Sequence, residues 1–288
     1  MGAHGHLPGR ALLGLQALAG NRAVQRAVTE GKFNIVGENH DKTNRWETFE
    51  KDFAKSKGLD YWRENKFKHG GKRGDHPVLI ALQMVSFLGD HATVSRARLT
   101  TVTQSLSDPA TDATVLRARL GALLNALPSV PVAMSLYKVC QRKGMPKVVV
   151  QDCLPLVRLT NVVHALRPRL VAGSGLAEAL HEVDGMLAGL ISEAESIIRA
   201  NGFGSDLLAE GHDAWRPVIA QISWQRAGYM LNRANKAAAA GVRGIWKVGD
   251  DHVTEMGAMA LDPGPDVEIT GRKEFSRQLK EWRRRSVS

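Results

Sequence analysis

Residues 33–44 read FNIVGENHDKTN and residues 244–255 read GIWKVGDDHVTE. Each stretch is an apolar run followed by Gly, an acid, one further residue and His. The first supplies Gly37, Glu38 and His40; the second supplies Gly249, Asp250 and His252, with Asp251 as an extra acid. The β-branched and aromatic content of both runs predicts strands. A glycine at each strand end predicts a sharp turn, so Glu38 and His40 are expected in one loop and Asp250, Asp251 and His252 in another. Either tetrapeptide alone suits a turn with a helix cap. The functional argument rests on the repetition of the pattern at opposite ends of the chain. In α/β sheets, ligands bind beyond the carboxyl ends of strands, where such loops converge. If the two strands are neighbours, two imidazoles and two or three carboxylates meet in one cleft. Neutral imidazole and carboxylate can hold a divalent metal. The same groups can also hydrolyse without one, a His activating water while an acid orients it.

The composition bounds the alternatives. The chain has 288 residues, 43% of them hydrophobic and 24% charged, as expected of a globular protein with a real core. Cys140 and Cys153 are too few for a disulfide framework and lack zinc-finger spacing, so both are expected as buried thiols. No run of about 18 uncharged apolar residues exists, and no membrane span is expected. The apolar patch near the N-terminus has no basic flank and is broken by Gly and Gln, unlike a secretory signal. The formal charge is +10. The last 18 residues, GRKEFSRQLKEWRRRSVS, carry seven basic and two acidic side chains, half of the excess, and the rest reads as spread over the chain. With only 6% aromatic residues and no stacking array, nucleic acid is disfavoured as a partner.

The expected fold class is α/β: a small central sheet with strands from both ends of the chain, covered by a large helical middle region. The strand KFNIVG is followed by a helix over 45–57 with Trp46, Phe49 and Phe53 on one side. Residues 61–77, YWRENKFKHGGKRGDHP, read as a polar loop. From Pro77 to about 240 the spacing is mostly helical, with Asp112 and Ser174 as N-caps and Gly202 and Gly241 as stops. VPVAMSLYKV fits strand or helix. Strand character returns at VRGIWKVG, continues after a turn through HVTEMGAMAL, and is followed by a strand DVEIT and a helix KEFSRQLKEW. His76 and His91 each follow Asp, and His76 is a candidate for the same site. Trp46 and Trp246 flank the two motifs and are expected to wall it.

Two resemblances extend this reading. LLGLQALAGNRAVQRAV, with AGNRAVQR at 19–26, resembles the leader found on many actinobacterial proteins associated with extracellular contractile injection systems. It implies a loading segment over 1–30 with the rest as cargo. The charge count sets off a basic helix or tail over 272–288, which leaves an α/β hydrolase-like domain over 31–271. The leader resemblance also implies tube or spike components as partners, and synthesis in the bacterial cytoplasm without a signal peptide, with release by an injection particle. Second, Gly37-Glu38-x-His40 with Gly249-x-x-His252 resembles the superfamily joining TraB/Tiki-type peptidases, ChaN-like haem-uptake lipoproteins and erythromycin esterases. That resemblance is anchored at two short places. It implies an α/β fold with the motifs side by side and hydrolysis of an ester or amide bond. It places Glu38, His40 and His252 as catalytic residues, and Glu47 as a trailing acid. Asp250 and Asp251 depart from the small residues common at those family positions, and Asp251 is read as a further catalytic acid beside His252. The superfamily does not fix metal use, since it has metal-dependent and metal-free branches. The extra acids Asp250 and Asp251 favour a metal here, in which case a Zn, Mn or Co ion would be held by Glu38, His40, Asp250 and His252, with His76 and Glu47 as further donors. The chain then reads as a hydrolytic effector or toxin. The rival readings are a noncatalytic particle-associated protein acting through leader and tail, and a nuclease or nucleic-acid binder.

Overall fold

The computed structural model describes residues 27–38, 46–172, 175–204, 214–259 and 266–287. The AGNRAVQR leader, His40 and the expected cap Ser174 lie outside the described residues. The chain forms two compact units, residues 1–76 with 223–288, and residues 77–222.

The first unit is built on a four-stranded sheet of β1 (Phe33–Glu38), β2 (Asp60–Arg63), β5 (Gly244–Gly249) and β6 (Val267–Thr270). The order is β2-β5-β1-β6 and every pairing is parallel. The fold class is therefore α/β, with the sheet drawn from both ends of the chain. Period-two alternation sorts the side chains. Phe33 and Ile35, Trp246 and Val248, and Val267 and Ile269 join one core with Ala227, Met230, Val253 and Met256. These partners lie on α8 (Trp215–Ala239) and α9 (Asp250–Ala258). Val36 and Ile245 face the other way, into a core with Phe53 and Ala54 of α1 (Glu47–Ser56) and Phe275 and Leu279 of α10 (Arg272–Val287). Helices thus cover both faces, as a parallel sheet requires. Phe275 and Leu279 make the terminal helix part of this unit. Its basic side chains lie on the outer face, where Arg277 pairs with Glu274 and Glu281.

Two local readings are corrected. The polar loop at 61–77 contains most of edge strand β2, with Trp62 stacked on Phe33. It also holds a small hairpin of β3 (Lys68–His69) and β4 (Lys72–Arg73), turned by Gly70 and Gly71 at positive φ. The stretch after β5 is helix α9, not strand. Its buried residues His252, Val253, Glu255 and Met256 follow helical spacing, and Asp250 and Asp251 suit the positive end of the helix dipole.

The second unit is helical: α2 (Pro77–Ser107), α3 (Ala113–Ala126), α4 (Val130–Cys140), α5 (Lys147–Ala165), α6 (Arg167–Ala172), α7 (Leu176–Ala200) and the start of α8. VPVAMSLYKV is thus helix. The core gathers Leu82, Val85, Leu123, Leu136, Leu156, Leu187 and Trp215, with Cys140 and Cys153 buried among them. Asp112 caps α3 by accepting from Thr114 N at 2.6 Å, and Gly202 and Gly241 follow α7 and α8 at positive φ. By length and composition alone, two described stretches, 77–107 and 113–140, are apolar enough to cross a membrane. The first is the central helix of this core, and the second is broken between α3 and α4.

Candidate functional site

Strands β1 and β5 are neighbours, and their register places Glu38 beside Gly249. The strand ends Glu38 and Gly249 therefore share one edge of the sheet. Glycine acts there differently from the expected sharp turn. Gly37 stays in the strand without positive φ. A Cβ at Gly37 would lie 2.2 Å from Asp250 Oδ1 and 3.1 Å from Arg272 N. Gly37 is thus a space for the Asp250 carboxylate, which accepts from the backbone N–H of Arg272 at 3.2 Å. Gly249 has an ordinary negative φ and caps α9, so Asp250, Asp251 and His252 form the first turn of a helix rather than a loop.

Two polar clusters occupy this edge. On the side of α1, Lys247 points out of β5 into the protein. Its ammonium lies 2.8 and 2.9 Å from the two carboxylate oxygens of Glu50, and 3.2 Å from Glu38 Oε2. The Tyr61 hydroxyl donates to Glu50 Oε2 at 2.6 Å. Burial, with the Glu50 hydrogen bond and charge added to it, pushes the Tyr61 phenol well above its ordinary range. Tyr61 is therefore a donor here, not a base. Lys247 and Glu50 side chains are each 6% exposed, against 17% for Glu38, so Glu38 is the acid of this cluster that solvent reaches.

The second cluster lies beside α8 and α9. Arg226 donates to Glu64 Oε1 at 2.9 Å and to Asp75 Oδ2 at 2.6 Å. Burial opposes the Arg226 charge, but Asp75 and Glu64 more than offset it and raise its pKa. Glu64 also accepts from Gly249 N at 3.0 Å, at the start of α9. His252 is buried, with Nδ1 3.0 Å from Glu255 Oε2 one helical turn on.

The expected site residues are thus divided. Glu38 and Asp250 stand at the common edge, His40 lies outside the described residues, and Asp251 is exposed on α9. His252 pairs with Glu255 rather than with Glu38. Glu47 opens α1, where hydrogen bonds from Lys51 and then Arg63 lower its carboxyl pKa. The His76 ring packs edge-on against Tyr229, and burial lowers its pKa against the opposing effect of Asp75. Trp246 is a fully buried core residue whose Nε1 donates to Glu64 O, not a wall of the site. Trp46 is exposed, with Arg283 over its ring. Lys247, Glu50, Tyr61, Glu64, Asp75 and Arg226 were not legible as site residues. One signal was present: a lone Lys within the apolar run GIWKVG must find a partner if the strand is buried on both faces.

No family model, curated protein or solved structure matches this chain. Of the expected metal donors, Glu38 is engaged by Lys247, Asp250 by Arg272 N, His252 by Glu255 and Glu47 by Lys51 and Arg63, while His76 Nδ1 is buried without a hydrogen-bond partner among the described residues. Among the described residues, no group of three or more His, Cys, Asp or Glu side chains converges to hold an ion. The described residues do not by themselves fit a metal centre, and no step is derived through one.

Proposed function

We propose that this chain is a hydrolase of ester or amide bonds whose reacting groups stand at the carboxyl edge of the parallel sheet. The observation that supports this reading is the pairing of Glu38 with Gly249, which sets the ends of the two motif-bearing strands, from opposite ends of the chain, side by side. In the proposed reaction the His40 imidazole takes a proton from water as it attacks the carbonyl carbon. Glu38, oriented by Lys247, holds the protonated imidazole or the water in line. The proton then passes to the departing oxygen or nitrogen. Asp251, exposed on the first turn of α9, faces solvent where it can contact substrate. The leader resemblance supports delivery of the chain as effector cargo of a contractile injection system.

The test is a screen of purified full-length protein against activated esters and N-acyl amides, with and without a chelator. Turnover by the wild type that is lost in Glu38→Gln supports the reading, and the chelator arm reports any dependence on a divalent ion. Turnover equal in wild type and Glu38→Gln overturns it.

One observation favours the noncatalytic alternative. The buried acids of both clusters are matched by cations of the same chain, as in an ion-pair framework that only holds the fold. Under that reading the chain associates with the particle through its leader and basic helix. Glu38→Gln would then lower stability without removing any turnover.

A further inference from the structure

The positive charge is less evenly spread than the tail alone suggests. Residues 113–177 hold nine Lys and Arg against a single acid, Asp152, and no acid occurs from Ala113 to Gln151. With the surplus of five in the last 18 residues, the remainder of the chain is slightly acidic. The basic stretch spans α3 to α6 of the helical unit.

Exposed apolar side chains gather in the same place. Of the eight large hydrophobic residues left exposed among the described residues, five lie between 130 and 172: Met134, Tyr137, Val148, Val162 and Val171. The connection between α4 and α5 concentrates both features. Tyr137, Lys138, Lys143, Lys147 and Val148 are all exposed around this turn. Along α5, Val148, Pro155, Arg158 and Val162 continue an exposed face at helical spacing. Lys138, Lys143, Lys147 and Arg158 form no ion pair with an acid among the described residues. Elsewhere on the surface, exposed arginines such as Arg96 and Arg277 are matched by Asp184 and Glu274.

Unmatched cations interleaved with exposed valine, methionine and tyrosine have a defined physical fit. Single-stranded nucleic acid calls for stacking aromatics between the cations, and this face has one, Tyr137. A duplex is held by cations at its phosphates and makes no use of the exposed valines. A bilayer interface carrying anionic lipid takes both features together. Lysine and arginine meet phosphates while their stems and neighbouring apolar groups enter the acyl boundary. We infer that the α4–α5 hairpin is a docking surface for an anionic phospholipid bilayer. The turn sits at the headgroups, with Tyr137 and Val148 below them. The inference is independent of the proposed hydrolysis, since it involves none of the residues at the sheet edge.

The experiment is vesicle flotation of the full-length chain. One set of vesicles is phosphatidylcholine alone; the other contains about one-third phosphatidylglycerol, which supplies the negative surface potential. Three variants are compared: Lys143→Glu with Lys147→Glu, Tyr137→Ser with Val148→Ser, and a tail control of Arg283→Glu, Arg284→Glu and Arg285→Glu. Circular dichroism confirms that each is folded. The wild type is expected to float with the anionic vesicles only, and less at high salt. Each hairpin pair is expected to weaken binding on the order of tenfold or more, while the tail variant binds as wild type. The inference is overturned if the wild type does not bind anionic vesicles or if only the tail variant loses binding. It is equally overturned if the hairpin lysines instead govern binding to duplex DNA with no vesicle association.

Discussion

Lys247 places its ammonium 2.8 Å from Glu50 Oε2 and 2.9 Å from Glu50 Oε1, inside the sheet's layer with α1. Removing one partner of such a buried pair leaves a charge with no water around it, which costs about 3–5 kcal/mol. Lys247→Met is expected to lose stability on that scale in urea unfolding. The double variant Lys247→Met with Glu50→Leu is expected to recover part of the loss, because the buried Glu50 charge is then no longer stranded, and the Glu38 carboxylate that remains is the one solvent reaches. Strictly additive losses would show that the pair does not act as a unit.

Gly37→Ala tests the contact between the two motif-bearing strand ends. The new methyl meets Asp250 Oδ1, the end of a side chain that can swing away. Doing so sacrifices its bond to Arg272 N, at a cost of about 1 kcal/mol. The expected result is a loss for Gly37→Ala that shrinks in an Asp250→Ala background, leaving the cost of the methyl's 3.1 Å approach to the Arg272 backbone N. Equal losses in both backgrounds would remove Asp250 from the explanation.

Gly89 gives the helical unit a sign test. A mid-helix Gly→Ala change ordinarily stabilises by about 0.5–1 kcal/mol. At Gly89, however, a Cβ would lie 2.4 Å from the fully buried Trp215 ring, whose Nε1 is tied to Thr93 Oγ1 at 3.0 Å. Overpacking of about 1–3 kcal/mol should win. Gly185, exposed in α7 with nothing near its Cβ position, should instead gain stability as Ala. Thermal unfolding of both variants reads the two signs directly.

His76 predicts a pH dependence. Burial lowers its pKa in the folded protein, with Asp75 opposing and the Tyr229 ring packed edge-on. The unfolded chain then binds more protons than the folded one below about pH 6.5. Stability associated with His76 is therefore complete above that pH and is lost as pH falls toward the depressed folded value. Denaturant unfolding at neutral and mildly acidic pH should show a shallower decline for His76→Gln than for wild type. An identical decline would assign the acid sensitivity to other groups.

The strands FNIVGE and GIWKVG were legible because both faces of a parallel sheet are buried, leaving mostly apolar runs of strand length interrupted only by Asn34 and Lys247. That they are neighbours was not written in either run; it depends on the helices of both faces closing over them. Strand β2 was missed because Asp60 and Arg63 make it look polar, and its strand character comes only from pairing with β5. The stretch from Asp250 was misread because HVTEM alternates over a few residues, too short a window to separate a period of two from 3.6. His252 was legible as a residue of interest but not in its setting. Its partner Glu255 lies one turn away on a helix the sequence reading did not contain. Lys247 and Arg226 were hidden for a related reason: a buried cation is recognised by its acids, and Glu50, Glu64 and Asp75 lie far from them in sequence.

The central claim is that Glu38, which ends β1, and the His40 imidazole two residues on in sequence are reacting groups rather than parts of a turn. The measurement that tests it most directly is kcat/KM of His40→Ala and Glu38→Gln beside wild type, on the best ester or amide substrate. Fold is verified for each by circular dichroism. General acid–base groups contribute about 100- to 10,000-fold, so each folded variant is predicted to lose at least the lower end of that range. Folded variants that turn over substrate at the wild-type rate would contradict the account.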